Sequence, residues 1–166
     1  KAIMVVHIYG LPVDMNPILK IANEFDIAII EDAAQAHGLR YRGILCGSFG
    51  DVSTYSFYPN KNITTGEGGM LLTNDIELNE RFRNLRNLCF RNNERFVHDE
   101  LGWNYRMTNM QAAMGVAQLQ RIEQIVNRKK EIGALYEQLL SDVPGLQKPC
   151  ASTDYADNNY WVYGLV

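Results

Sequence analysis

The chain has 166 residues, 46% of them hydrophobic and 21% charged, and 16 Lys+Arg against 19 Asp+Glu leave a net charge of −3. Such a composition excludes a disordered chain, because its apolar surface can offset the entropy of ordering, and no apolar run reaches the roughly 20 residues that span a bilayer. A mildly negative chain also lacks the basic surface that a dedicated nucleic-acid binder needs.

The chain opens inside an apolar run, Lys1-Ala2-Ile3-Met4-Val5-Val6, and closes inside the strand-like run Tyr160–Val166. Domains usually begin and end in exposed polar segments, so an internal fragment of a longer protein is expected. Cys46, Cys89 and Cys150 are isolated thiols. Their odd count and spacing fit a reducing cytoplasm better than a disulfide framework or a zinc site.

In chain order, Ala2 to Ile8 is β-branched and predicts a buried strand. Asp14 can cap a helix that tolerates Pro17 in its first turn, with Ile18, Ile21, Ala22 and Phe25 as its inward face. Ile27 to Ile30 predicts a second strand, ending in Glu31-Asp32. Strand, helix and strand in that order predict a parallel βαβ unit. After a glycine-punctuated stretch, Val52 to Phe57 and Met70 to Thr73 predict two more strands. The short connection through Thr64–Gly69 allows them to pair antiparallel inside a mostly parallel sheet. Asn74-Asp75 caps a helix to about Leu88. Residues 89–107 are polar and rich in Arg and Asn. A helical pattern then runs from Thr108 to about Val143, long enough to be bent, split or a connection between domains.

Asp32 follows a buried strand directly, where open α/β sheets place ligands. Its carboxylate can pair with a cation on a ligand or simply cap a turn. Lys61 follows a strand among aromatics, in Ser56-Phe57-Tyr58-Pro59-Asn60-Lys61. Desolvation there would favour the neutral amine of Schiff-base chemistry, whereas most lysines are exposed loop residues. The turn at 64–69 is no P-loop, because no Gly-Lys-Ser/Thr follows. His7, His37 and His98 lack metal-ligand spacing, so a metal site is not expected. Arg81, Arg83, Arg86, Arg91 and Arg95 read as a solvated basic face or a phosphate-facing edge.

Three blocks stand in order: Glu31-Asp32-Ala33-Ala34-Gln35-Ala36-His37-Gly38, Ser56 through Gly69, and Gly102-Trp103-Asn104-Tyr105-Arg106-Met107-Thr108-Asn109. Together they resemble the DegT/DnrJ/EryC1/StrS family of pyridoxal-phosphate-dependent sugar aminotransferases, over nearly the whole chain. The resemblance implies an α/β fold, the large domain of a fold-type I aminotransferase truncated at both ends. Residues 1–120 would belong to that domain, and 121–166 to a connecting helix and the start of a smaller one. It implies that Lys61 holds pyridoxal 5′-phosphate and moves the proton, and that Asp32 pairs with the pyridinium nitrogen. Gln35 would lie near the ring hydroxyl, Ser56 would bind the phosphate, and Asn104 would reach cofactor held by the other subunit of a homodimer. The implied reaction transfers an amino group from glutamate to a nucleotide-linked 4-keto-6-deoxy sugar, in a cytoplasmic pathway of surface polysaccharide such as O-antigen. Dehydration or transfer at another sugar carbon, and a non-catalytic α/β scaffold, are the rival readings.

Overall fold

The computed structural model describes residues 1–91 and 94–166, and of Arg95 only the backbone. Strand β1 (Ala2–Val6) is joined by helix α1 (Met15–Phe25) to strand β2 (Ala28–Asp32). β1 and β2 pair in parallel, from Ala2 beside Ala28 to Val6 beside Asp32, which completes the expected βαβ unit. β5 (Val52–Ser56) lies parallel on the other side of β2, and β6 (Gly69–Leu72) closes the sheet antiparallel to β5. The order β1-β2-β5-β6 therefore brings the carboxyl ends of three parallel strands to one edge. Asp32 and Ser56 are the last residues of β2 and β5, so both stand on that edge.

Between β2 and β5 a small hairpin forms from β3 (Arg40–Tyr41) and β4 (Ile44–Leu45). The core lies between this region, α1 and one face of the sheet. Val5, Met15, Ala22, Ile29, Leu39 and Tyr41 are buried there. Pairing of short β-branched strands with an amphipathic helix explains the layer, since each element must hide one apolar face.

The inward stripe of α1 is Met15, Ile18, Leu19 and Ala22 rather than the expected set. Ile21 and Phe25 are exposed. At about 100° per residue they fall on the flank of the stripe that Met15 and Leu19 define.

Helix α2 (Ile76–Arg86) is capped by Asp75, whose side chain accepts from the Leu78 N–H at 2.9 Å. It leads to the antiparallel pair β7 (Phe90–Arg91) and β8 (Glu94–His98) in the polar segment rich in Arg and Asn. Asn92 and Asn93, and the side chain of Arg95, lie outside the described residues. Arg81 pairs with Glu100 and Arg91 with Asp99, so these two arginines serve surface ion pairs.

The long helix is split into α3 (Asn109–Leu119) and α4 (Ile122–Leu139). Thr108 opens α3 with a capping box to Gln111. The break falls at Gln120-Arg121, where Arg121 leaves helical geometry with φ −115° and ψ 14°. No Gly or Pro marks that point.

Residues 160–166 form no strand, contrary to expectation. Tyr160 adopts φ 49° and its ring packs on α4, so the aromatic run serves contacts between segments instead of a ladder. Among the described residues no helix is long and apolar enough to cross a membrane.

Candidate active site

The loop that leaves β5 turns back over the carboxyl edge of the sheet and carries Lys61, whose N–H donates to the Tyr58 carbonyl at 3.0 Å. Its Nζ lies 4.1 Å from the ring centroid of Trp161. Burial pushes the Lys61 ammonium below the usual lysine range, and the Asp32 carboxylate partly opposes this. Lys61 and Asp32 are therefore close enough to sense one another's charge.

Asp32 Oδ1 accepts from the Ala34 N–H at 3.0 Å, with the Thr54 hydroxyl at 3.5 Å. No hydrogen bond from the described residues reaches Oδ2, which leaves an acceptor for an incoming N–H. Gln35 uses Oε1 to accept from the Tyr9 N–H at 2.8 Å. Tyr9 in turn stacks on Trp161, with centroids 6.2 Å apart. Gln35 thus joins the Lys61 group through two aromatic rings. Ser56 Oγ accepts from the Tyr58 N–H at 3.3 Å, and its own hydrogen remains available to donate.

His37, inside the same motif as Asp32, is 4% exposed and packs between the rings of Tyr55 and Phe57. Among the described residues neither ring nitrogen has a partner at good hydrogen-bond geometry, the Ser56 backbone being the nearest approach to one. Burial first, and then the charge of Lys61, push its pKa down to about 4, with the Ser56 backbone a weaker opposing influence. A neutral imidazole thus borders the amine. The sequence singled out His37 only as lacking metal-ligand spacing. The ring packs against Tyr55 and Phe57 and feels the charge of Lys61.

Asn104 is not part of this group. It forms an isolated antiparallel bridge with Asn87, and it is exposed between Trp103 and Tyr105. No hydrogen bond or ring contact among the described residues joins it to Lys61.

Trp161 is the residue of the group that sequence reasoning did not single out. It lies 101 positions from its hydrogen-bond acceptor at Asn60, so no local pattern exposes it.

On the opposite face of β2 a second polar cluster is buried. Val13 N–H donates to His7 Nδ1 at 3.2 Å, so the ring hydrogen sits on Nε2 and is donated to Glu31 at 2.8 Å. Glu31 also accepts from the N–H groups of Gly47, Phe49 and Gly50. Burial pushes the Glu31 carboxyl up, but the His7 and backbone hydrogen bonds outweigh it and hold it below the usual range. Cys46 completes a group whose possible ligand atoms lie within 4.8 Å of one another. Its thiol is pushed up to about 12 by burial and by Glu31, and His7 and Glu31 are already fully engaged. This cluster is a buried buttress and offers no vacant coordination set.

An open-sheet edge with a desolvated lysine and a free carboxylate oxygen defines a site for an electrophilic, cation-bearing ligand. The model of the DegT/DnrJ/EryC1/StrS aminotransferase family matches residues 1–166, and the chain belongs to that family. Enzymes of this family depend on pyridoxal 5′-phosphate. The chain is 49% identical over 141 residues to GDP-perosamine synthase of Caulobacter vibrioides, covering 85% of this chain and 38% of that protein. It is 40% identical over 166 residues to GDP-perosamine synthase of Escherichia coli O157:H7, covering all of this chain and 45% of that one. The solved structure of Streptomyces venezuelae DesV superposes with a TM-score of 0.88 at 38% identity, over 99% of this chain and 44% of DesV. The chain thus spans less than half the length of these relatives.

Proposed function

We propose that the protein containing this chain transfers an amino group from glutamate to a nucleotide-linked 4-keto-6-deoxy sugar, with Lys61 as its reactive amine. The observation that carries this reading is the pairing of a desolvated Lys61 with Asp32 at the carboxyl edge of the sheet. The donor set fits pyridoxal phosphate: an amine for its aldehyde, the open Oδ2 of Asp32 for its ring nitrogen, and the Ser56 hydroxyl for its phosphate. When bound, the cofactor supplies an electron sink that makes the proton beside the amino nitrogen acidic.

Everything else falls to the chain. Asp32 keeps a positive charge on a weakly basic ring nitrogen, which water alone would not do at neutral pH. Lys61 would hold the aldehyde of the cofactor, and as a free amine it would carry a proton between substrate atoms as a general base and acid. Its lowered proton affinity favours the neutral amine that the reaction needs. Gln35, fixed through the Tyr9 N–H, would lie near the ring hydroxyl. Asn104, which makes no contact with Lys61 among the described residues, would reach the site of a second copy in a homodimer that shares its two active sites. Residues 1–120 form the cofactor-binding domain, and 121–166 the connecting helix and start of a smaller domain. The break at Gln120-Arg121 supports that division.

The similarity to two GDP-perosamine synthases favours the 4-position of a GDP-linked sugar. Incubation of the full-length protein with glutamate and a GDP-linked 4-keto-6-deoxy sugar tests this. The expected result is a 4-amino sugar formed with one equivalent of 2-oxoglutarate. A 3-amino or a dehydrated product, or turnover only with a different nucleotide, would refute the substrate assignment.

A further inference from the structure

The segment Asn158–Trp161 is anchored over the lysine by a set of contacts that no strand or helix supplies. Asn159 N–H donates to the Gly10 carbonyl at 2.9 Å, and its side-chain amide donates to the His37 carbonyl at 3.3 Å. Asn158 Oδ1 accepts from the Tyr160 N–H at 2.7 Å and helps to fix the left-handed turn at Tyr160. Two glycines make room for the segment. A Cβ on Gly10, at φ +94°, would overlap the side chain of Asn159, and one on Gly133 of α4 would overlap the ring of Tyr160. The result is Trp161, 8% exposed, with its indole N–H on the Asn60 carbonyl at 2.9 Å and its face under Lys61 Nζ. Tyr9 stacks on the same ring.

We propose that Trp161 is a positioning residue for Lys61, its indole face receiving the ε-ammonium whenever that amine is free. This rests on the reading of Lys61 as the reactive amine. An ammonium taken from water needs a replacement for its hydration. A tight ion pair would occupy the carboxylate that the ligand requires. A π face stabilises the charge electrostatically and leaves Asp32 open. It also holds Nζ without a hydrogen bond that must break before the amine reacts. Among the described residues, Lys61 senses the charge of Asp32, at the end of β2, and His37, in the turn that follows, senses the charge of Lys61. A further cation, Lys129 on α4, donates to the Trp161 carbonyl at 3.3 Å, away from the ring face.

The test measures the protonation midpoint of Lys61 in the full-length, cofactor-free protein. Competitive acylation across a pH series, with the Lys61 peptide quantified by mass spectrometry, reads it directly. Site-specific replacement of Trp161 by mono-, di- and trifluorotryptophan drains the ring face while keeping its shape. The midpoint is expected to fall stepwise along that series. Trp161→Leu is expected to lower it by about one pH unit, and Trp161→Phe by less. A midpoint unchanged along the fluorinated series, or raised by Trp161→Leu, would overturn the proposal. The fluorinated residues keep the test decisive if Trp161→Leu fails to fold. Absence of a borohydride-reducible adduct on Lys61 would instead remove the aminotransferase reading, and the midpoint series remains readable without it.

Discussion

Glu31 and Asp32 are adjacent carboxylates on one strand, and their fates are opposite. Alternation along β2 turns Glu31 into the core, where it is 0% exposed, and Asp32 toward the other face. Glu31 is saturated by His7 and three backbone N–H groups, so it clamps the 47–50 loop to the sheet. Asp32 accepts a single backbone N–H, from Ala34, on Oδ1, keeps Oδ2 open among the described residues, and has Lys61 as its charged neighbour. The difference separates a buried polar group that builds the fold from one that is left unfinished for a ligand. Saturation, more than burial, distinguishes the two.

The comparison breaks most severely at the lysine. Lys61→Ala is expected to reduce turnover of the full-length protein by at least about 10³-fold, because nucleophile and proton carrier are lost together. Steady-state kinetics with glutamate measure it, and the denaturation midpoint should move little. The two carboxylates then divide the remaining effects between them. Glu31→Gln is expected to cost about 2–4 kcal/mol of stability, since it disrupts a buried, fully engaged carboxylate. Asp32→Asn should leave the urea midpoint nearly unchanged and lower kcat by orders of magnitude. Equal stability losses in the two variants would contradict the contrast.

How much of this was legible in the sequence follows from the same geometry. The βαβ unit and the antiparallel β5–β6 pair were readable because strand and turn signals are local. Asp32 and Lys61 were readable because each follows its strand directly, within a motif. Gln35 and Ser56 came through the family resemblance, and both stand on the carboxyl edge of the sheet. What pairs across long separations was not readable. Trp161 arrives at Lys61 through Gly10 and Gly133, and neither glycine announces what it makes room for. The length of the helical pattern announced a bend or split, but its position at Gln120-Arg121 was not readable, because Arg121 is an ordinary helix former and no Gly or Pro marks the point. Glu31 looked no different from Asp32, since one residue's shift along a strand reverses the face without changing the composition.

Smaller effects sharpen the contrast. His37 binds a proton with a pKa of about 4 when folded, against 6.5 for the free side chain. Between those values the unfolded chain holds more protons, so stability falls as pH drops from about 6.5 toward 4. From pH 7 to pH 5 this loss is about 2 kcal/mol, and His37→Gln should remove that share while the Glu31 contribution remains. Urea titrations at the two pH values measure the difference. The smallest effect is chemical. Exposed Cys150 should react with a thiol reagent in the native protein, whereas Cys46, pushed up to about 12 beside Glu31, should react only on unfolding.

The central claim is that the unfinished site, and not the saturated one, is where the cofactor is held. Peptide mapping of the full-length protein after incubation with pyridoxal phosphate and reduction with borohydride tests it most directly. One modified peptide is expected, carrying the adduct on Lys61 and absent in Lys61→Ala. An adduct on any other lysine, or one that persists at full yield in Lys61→Ala, would contradict it.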